Sequence, residues 1–226
     1  MSVPFGYEKD GFKFRKNVFN PQIEVMALSS RKIDDCVAYI KHNNIQGIEI
    51  NSTYGAYKVD TLDLLEKLPD CNIKVIELIN DFKDISIINQ FKALEQLVLS
   101  ENKKSTIDFN NFPNLRSLSI HDNKNFINIG NLINLEKLGI GSLNNNSKID
   151  FSYLKNLKDL FIVKGNIENL NFVNNLKLNN LSVNYCRKLK DISGIEIQID
   201  SITDLEFESC KSIDNIEIIG NLINIE

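Results

Sequence analysis

The stretch LRSLSIHDNKNFINIGNLINLEKLGI, residues 115–140, contains the same short motif twice. The motif is Leu-x-x-Leu-x-Leu, with Ile accepted at the last position, and its two copies begin at Leu115 and Leu135. Further copies begin at Ile73, Leu94, Leu157, Leu178 and Ile202. From the first of these onward, successive copies start 21, 21, 20, 22, 21 and 24 residues apart, and a weaker copy begins at Ile45. A period near 21 residues indicates a solenoid, in which each repeat buries its apolar face against its neighbours.

A second recurring type of residue follows the strand motif. Three residues after the last apolar strand position, the copies carry Asn102, Asn123, Cys186 and Cys210, and the early copies carry Thr53 and Asp81. Leu143 and Gly165 break the pattern. A side-chain amide at this position can pair with main-chain groups that the turn would otherwise bury without partners. We therefore expect this position to point into the turn.

These features resemble the leucine-rich repeat family, and most closely its short bacterial, internalin-like type. The segment NKNFINIGNLINLEKLGI, residues 123–140, is the clearest match, and the resemblance covers roughly residues 45–226. It implies an α/β fold, a right-handed solenoid with one parallel sheet on the concave face. Short helices are expected in the N-terminal repeats, and 3₁₀ or irregular turns on the convex side of later ones. The resemblance leaves function open, because one scaffold serves many partners.

Residues 1–44 lack the repeat and are expected to form an N-terminal cap. Phe12 to Arg15 alternate between apolar and basic residues, and Ile23 to Met26 predict a second short strand. Ser29 or Ser30 could cap a helix over residues 31–43, and a further helix is predicted over residues 61–68.

Residues 45–226 are expected to hold about eight repeats, the last one incomplete, in a single continuous domain. The final residues 220–226, GNLINIE, almost repeat GNLINLE at residues 130–136. Either the chain continues beyond Glu226, or a partner or a second copy covers the last repeat. An uncovered solenoid end exposes apolar residues and favours self-association.

Composition argues against several classes of function. The net charge of −4 gives no general nucleic-acid footprint, and no apolar stretch approaches the 18 residues of a membrane span. Residues 1–25 lack a basic start followed by an apolar region, so we expect no secretory signal and a cytoplasmic location. Richness in Ile, Asn, Lys and Phe without Trp suggests a bacterial source.

The sequence contains no recognisable catalytic, metal or cofactor motif, and we expect a protein that is not an enzyme. No Cys-x-x-Cys pair, HExxH, glycine-rich phosphate loop or acidic calcium loop occurs. Cys186 and Cys210 share one repeat position and should be neighbours, either as a disulfide or, as we favour, as two buried thiols. His121 and Asp122 are adjacent, but neighbouring strand residues point to opposite faces.

The candidate binding residues are those that alternate outward along the strands. Phe161 and Val163 are apolar at positions where solubility alone favours polar residues, and Tyr185 lies just beyond the next strand. The other candidates are polar or charged, namely His121, Asp159, Asp204, Glu206 and Glu208. Aromatic anchors within a polar surround are typical of protein interfaces. Scattered exposed apolar residues are also normal on protein surfaces.

We therefore predict a non-catalytic module that binds another protein through its concave face. One specific form is an immunity protein that neutralises a toxin, for which an acidic face would suit a basic toxin domain. The segment GIEINSTYGAYKVDTLDLLEKLP, residues 47–69, resembles a pattern in small bacterial repeat proteins with such roles. The alternatives are a generic scaffold and a repeat region of a larger signalling or effector enzyme.

Overall fold

Short strands and tight turns follow one another through the whole described chain. The computed structural model describes residues 6–52, 57–102, 104–198 and 200–225. These fall into two units, each built on its own run of strands. Unit 1 comprises the chain up to Ile107 together with Asn111–Leu115, and unit 2 comprises Asp108–Asn110 and the chain from Arg116 onward.

Unit 1 contains six strands and one α-helix among its described residues. In chain order they are β1 (Tyr7–Lys9), β2 (Phe12–Lys16), β3 (Glu24–Ala27), α1 (Ile33–Asn43), β4 (Gly47–Ile50), β5 (Val75–Leu78) and β6 (Gln96–Leu99). Strands β1, β2 and β3 pair antiparallel, whereas β3, β4, β5 and β6 pair parallel. The two strands predicted in the first 44 residues are therefore present, and the first repeats are parallel as expected.

Helix α1 buries the face that its sequence predicts but begins later than expected. Cys36, Val37 and Ile40 are buried. The helix begins at Ile33 after Lys32, and no side chain caps its first turn. The prediction of a serine cap was wrong, because the Ser29 hydroxyl accepts from the Arg31 amide (3.4 Å), ahead of the helix, and the Ser30 hydroxyl accepts from the Lys58 amide (3.0 Å). The helix ends at Asn44, which adopts the left-handed conformation (φ 52°) common at helix C-termini.

The segment predicted as a second helix, residues 61–68, is a 3₁₀ turn. It spans Asp63–Lys67, and the Leu65 amide donates to the Leu62 carbonyl at 2.8 Å, the spacing of a 3₁₀ helix. Leu62, Leu65 and Leu68 are buried as predicted. Pro69 directly follows this apolar turn, which discourages a longer helix. A second 3₁₀ turn spans Ser86–Gln90.

Unit 2 is a run of parallel strands joined by 3₁₀ turns. Its long strands are β8 (Ser117–His121), β10 (Lys137–Gly141), β11 (Asp159–Val163), β12 (Asn180–Asn184) and β13 (Asp204–Glu208). There are also two short strands, β7 (Ile107–Asp108), of which only Asp108 belongs to unit 2, and β9 (Phe126–Ile127). The 3₁₀ turns are Phe109–Asn111, Ile129–Asn131, Phe151–Tyr153, Asn171–Val173, Ser193–Gln198 and Ile216–Asn221. The long strands pair parallel without any shift in register.

One row of leucines runs through the core of unit 2. The strand pairing aligns Leu118, Leu138, Leu160, Leu181 and Leu205. The first four are at most 1% exposed. This arrangement confirms the predicted apolar strand positions, and burying each such side chain contributes about 2 kcal/mol.

Each strand from β10 to β13 ends in the same backbone turn. The first residue after the strand has a positive φ in all four cases, namely Ser142 (59°), Lys164 (54°), Tyr185 (59°) and Ser209 (55°). None of these residues is glycine, although the left-handed region favours glycine. The turn is therefore imposed by the stacking of the repeats rather than by the preference of the residue that adopts it.

The Asn102 side chain points into its turn and pairs with main-chain groups, as the sequence predicts. Its Nδ2 donates to the Phe82 carbonyl at 2.7 Å, and its Oδ1 accepts from the amides of Lys104 (3.1 Å) and Ser105 (2.9 Å). Asn102 thus joins two successive turns of unit 1. Asp81, by contrast, is exposed, so its predicted inward role is wrong, and Thr53 lies outside the described residues.

In a later repeat, a cysteine thiol stands at the position that the Asn102 side-chain amide occupies in the earlier one. The Sγ atom of Cys186 accepts a hydrogen bond from the Gly165 amide at 3.2 Å. A Cβ atom at residue 165 would lie 3.0 Å from that sulfur, so the preceding repeat has no room for a side chain there. That Cβ atom would also lie 3.2 Å from the Leu143 carbonyl oxygen and 3.2 Å from an Ile162 methyl group, which explains the glycine that interrupts the sequence pattern.

A buried glutamine stabilises the longest repeat. Gln198 is completely buried, its Oε1 accepts from the Leu178 amide (3.0 Å), and its Nε2 donates to the carbonyls of Val173 and Leu176 (2.9 Å each). These bonds occupy main-chain groups that would otherwise be buried and unpaired. The sequence pattern gave no indication of this residue.

We predict that Asn102→Ala lowers the free energy of unfolding by about 1–3 kcal/mol, because it leaves buried main-chain groups without partners. Chemical denaturation monitored by circular dichroism measures the change. Asn114→Ala is the control, since Asn114 is exposed on the same unit. Equal denaturation midpoints for the two variants would contradict the role assigned to Asn102.

Candidate protein-binding face

The parallel register of unit 2 aligns its outward side chains in three rows. We call the surface formed by these rows the outward face of unit 2. The rows are Ser117–Lys137–Asp159–Asn180–Asp204, Ser119–Gly139–Phe161–Ser182–Glu206 and His121–Gly141–Val163–Asn184–Glu208. The structure thus brings seven of the eight candidate residues onto one face, and the eighth, Tyr185, directly follows the third row.

Phe161 lies near the middle of this face, between Gly139 and Ser182. The absence of a side chain at Gly139 leaves space beside the ring. The Nζ atom of Lys137 is 4.9 Å from the ring centroid, a cation–π contact. Phe161 is half-buried, and Val163 on the same strand is 40% exposed. The pair provides apolar surface within an otherwise polar face.

His121 lies over the backbone of the neighbouring strand. A Cβ atom at Gly141 would approach the imidazole Nδ1 to 2.7 Å, so the ring occupies the space that a side chain there would need. Asp122 has different partners, since its carboxylate accepts hydrogen bonds from Asn144 Nδ2 (2.9 Å) and Ser147 Oγ (3.1 Å). Burial is the main cause that raises the pKa of Asp122. The side chains of His121 and Asp122 therefore point in different directions and have different neighbours.

The carboxylates of the outward face are oriented by neutral donors. Ser182 Oγ donates to Glu206 at 2.7 Å, and Asn180 Nδ2 donates to Asp159 at 2.6 Å. Thr203 Oγ1 donates to Asp204 at 3.0 Å. Hydroxyl and amide donors fix a carboxylate in position but leave its negative charge in place. With four carboxylates and one lysine in its rows, the face is net negative.

Tyr185 extends this acidic edge rather than the apolar patch predicted for it. Its hydroxyl donates to the carboxylate of Glu208 on β13. That hydrogen bond is the main cause that raises the pKa of Tyr185. Strand β13 lies on the opposite side of β12 from Val163. The ring is 43% exposed, so it remains available at the border of the face.

The outward side of unit 1 is filled by its own side chains. The guanidinium group of Arg15 bonds Glu49 Oε2 through Nε (3.1 Å) and Nη2 (3.0 Å), and also bonds Glu77. Gln96 Nε2 donates to Glu77 Oε1 at 3.1 Å. Glu49, Glu77 and Gln96 are only 4%, 7% and 7% exposed. We call these four residues the Arg15 cluster.

An apolar group lies beside the Arg15 cluster in unit 1. Ile23, Val25 and Val75 form a buried cluster with exposures of 6% or less. The sequence predicts that Val75 and Glu77 point outward, which the register bears out, but both are buried rather than accessible. Ile79, directly after β5, is 42% exposed and Val98 on β6 is half-buried, so some outward surface of unit 1 is accessible, but its described outward carboxylates are buried.

Solved structures with a similar fold include internalins of Listeria monocytogenes. The crystal structure of internalin inlF matches 84% of this chain at 19% identity with a TM-score of 0.56, and this chain spans 62% of that internalin. Internalin C2 matches 81% of this chain at 19% identity with a TM-score of 0.55, over 80% of its own length. The fold is an internalin-like leucine-rich repeat fold. No protein-family model and no curated protein matches the chain.

The internalin-like repeats carry further polar groups, but these form no cluster of metal ligands. Within the described residues, no group of three or more His, Cys, Asp or Glu side chains could hold a metal ion, and no helix is long and apolar enough to cross a membrane. All four cysteines are free thiols, and burial raises the pKa of Cys186 to about 11.

The last internalin-like repeat leaves part of its apolar side uncovered. Leu205 in the core row of β13 is half-buried, whereas its counterparts on β8 to β12 are fully buried. Ile216 and Ile223 are 52% and 70% exposed. The expected self-association through this end stays a prediction.

We predict that Glu77→Gln removes a pH-dependent contribution to stability. Burial is the main cause that raises the pKa of Glu77, with Arg15 opposing the shift and Glu49 adding to it. A carboxyl whose folded pKa is raised stabilises the fold fully below its unfolded pKa, and that contribution is lost as pH rises through the folded pKa. The variant should therefore gain stability relative to the native protein as pH rises from 4 towards 7.

Urea denaturation across this pH range measures the difference between the two proteins. Glu66→Gln is the control, because Glu66 is exposed in the same unit. A stability difference for Glu77→Gln that stays constant with pH, or that shrinks as pH rises, would contradict the assigned electrostatics.

Proposed function

We propose that this chain is a non-catalytic binding module that recognises a protein with a basic surface. The observation that carries the proposal is the outward face of unit 2, where Phe161 and Val163 lie beside carboxylates that only neutral groups orient. Apolar anchors contribute most to affinity, while uncompensated surface charge steers association. On the described outward side of unit 1, by contrast, the carboxylates of Glu49 and Glu77 are buried and bonded to Arg15.

The separation of His121 from Asp122 also favours binding over catalysis. The imidazole lies over Gly141 on the outward face, whereas the carboxylate is occupied by Asn144 and Ser147. General acid–base catalysis needs the two groups within hydrogen-bonding reach of a common substrate. A repeat region of a larger effector enzyme is still compatible with this arrangement, because its chemistry would lie in another domain.

A narrower form of the proposal is an immunity protein that neutralises a basic toxin domain. Its support is the charge of the face, since a cationic toxin would be complementary to Asp204, Glu206 and Glu208. Such a partner would be encoded beside this chain, and co-expression should protect cells from it. If cells stay protected from the toxin when this chain carries both Phe161→Ala and Glu206→Lys, that result would argue against this form.

We predict different kinetic effects for two substitutions on the outward face. Phe161→Ala should weaken partner binding mainly through faster dissociation, because it removes a packed anchor. Glu206→Lys should mainly slow association, and by less at high salt, because salt screens exposed charges. A partner isolated from lysate of the source organism, then purified, allows both rates to be measured by surface plasmon resonance.

Matched substitutions away from the face provide the controls. Tyr153→Ala removes an aromatic side chain that is 62% exposed on a 3₁₀ turn of the same unit. Glu196→Lys reverses an exposed charge on another turn. If both controls and both face variants bind with native rates, the outward face of unit 2 is not the binding site.

A further inference from the structure

A groove on the outward face of unit 2 combines apolar walls with an unbalanced set of hydrogen-bond acceptors. It has a volume of about 500 Å³, and its walls include Phe161, Leu205 and Ile225. Its polar lining consists of Asn180, Ser182, Asp204 and Glu206. The lining of the groove therefore differs from that of the polar turns elsewhere in the unit, because acidic and aromatic side chains lie together in it.

Asn180 presents a buried acceptor with no donor. Its Nδ2 donates to Asp159 at 2.6 Å. A carboxylate can only accept, so this bond fixes which end of the amide faces Asp159 and directs Oδ1 away from it. That Oδ1 atom is buried and accepts no hydrogen bond from any described residue. An unpaired buried acceptor costs free energy that a bound donor would recover.

The strand register adds a second acceptor on the side opposite Asp159. Asp204 on β13 is the residue that pairs with Asn180 on β12, and Glu206 is two residues further along the same strand. Thr203 and Ser182 orient these two carboxylates without neutralising them. The groove therefore lacks a group that carries positive charge and several N–H donors.

We propose that the groove receives an arginine side chain of the partner protein, an inference that rests on the proposed function of this face. A guanidinium group has five donors in a rigid plane, so it can bond the carboxylates of Asp204 and Glu206 at once, and a rotation of the Asn180 side chain would bring Oδ1 to a further N–H. The aliphatic stem of the arginine fits against the Phe161 ring, the apolar wall that lies on the outward face. The contact of Lys137 with the Phe161 ring shows that this aromatic group already accepts a cation. A lysine ammonium is a point charge with three donors and would satisfy fewer of the acceptors.

The test uses three small probes with the intact chain, namely N-acetyl-arginine amide, N-acetyl-lysine amide and the uncharged isostere N-acetyl-citrulline amide. Each is titrated into ¹⁵N-labelled protein, and the shifts of the Asn180 side-chain amide and the Ser182 backbone amide are followed by NMR. We expect saturable binding of the arginine probe, about tenfold tighter than either other probe, the factor that corresponds to one charged hydrogen bond. Equal binding of arginine and citrulline, equal binding of arginine and lysine, or no saturation would each overturn the inference.

Asn180→Leu removes the orphan acceptor while keeping the branched shape of the side chain, and should weaken binding of the arginine probe about tenfold. Asn179→Leu is the matched control, because Asn179 is exposed and precedes β12. Native affinity in Asn180→Leu would overturn the assignment of Oδ1. If Asn180→Leu fails to fold, the comparison of arginine with citrulline in the native chain still decides the question.

The same experiments separate this inference from the proposed function. If the partner is sensitive to Phe161→Ala and Glu206→Lys but the probes show no preference for arginine, the face binds protein and the groove assignment fails. If arginine binds selectively but the partner is insensitive to both face variants, the groove is a ligand site and the proposed function fails.

Discussion

The parallel pairing of successive repeats without any shift in register is the constraint on which the rest of the structure depends. Side chains alternate between the two faces of a strand, so a slip of one residue would exchange core and surface. In unit 2 the row from Leu118 to Leu205 fixes the core, and the same pairing fixes the three outward rows. The arrangement of the candidate binding residues on the outward face is thus a consequence of hydrophobic burial on the other side of the sheet.

The outward sides of the two units differ in the partners of their carboxylates. In unit 1, Glu49 and Glu77 lie directly opposite each other on neighbouring strands. Like charges in such a pair repel, and Arg15 reaches both carboxylates from antiparallel β2. In unit 2, the carboxylates meet hydroxyl and amide groups instead. One guanidinium therefore offsets part of the carboxylate charge in unit 1, whereas the described outward carboxylates of unit 2 have hydroxyl and amide partners.

Periodicity accounts for what the sequence could predict. The repeat predicts the core leucines and the outward placement of Phe161, because both depend only on alternation within a strand. The Arg15 cluster was beyond prediction, because the register of β2 is set by tertiary pairing rather than by the repeat. Gln198 was missed because its bonds depend on how a repeat of unusual length folds back. The direction of Tyr185 depended on a left-handed turn and a hydrogen bond to Glu208, neither of which the strand pattern specifies.

The contrast between the two outward sides can be measured directly by the reactivity of introduced thiols. Ala27 and Ser119 both point outward by register, but Ala27 is 5% exposed in unit 1 whereas Ser119 is exposed in unit 2. Ala27→Cys and Ser119→Cys are labelled with iodoacetamide, and mass spectrometry of the peptides separates them from the four native cysteines. The account predicts that the thiol at residue 119 reacts at nearly the rate of a free cysteine and the thiol at residue 27 far more slowly. Equal rates at the two positions would contradict it.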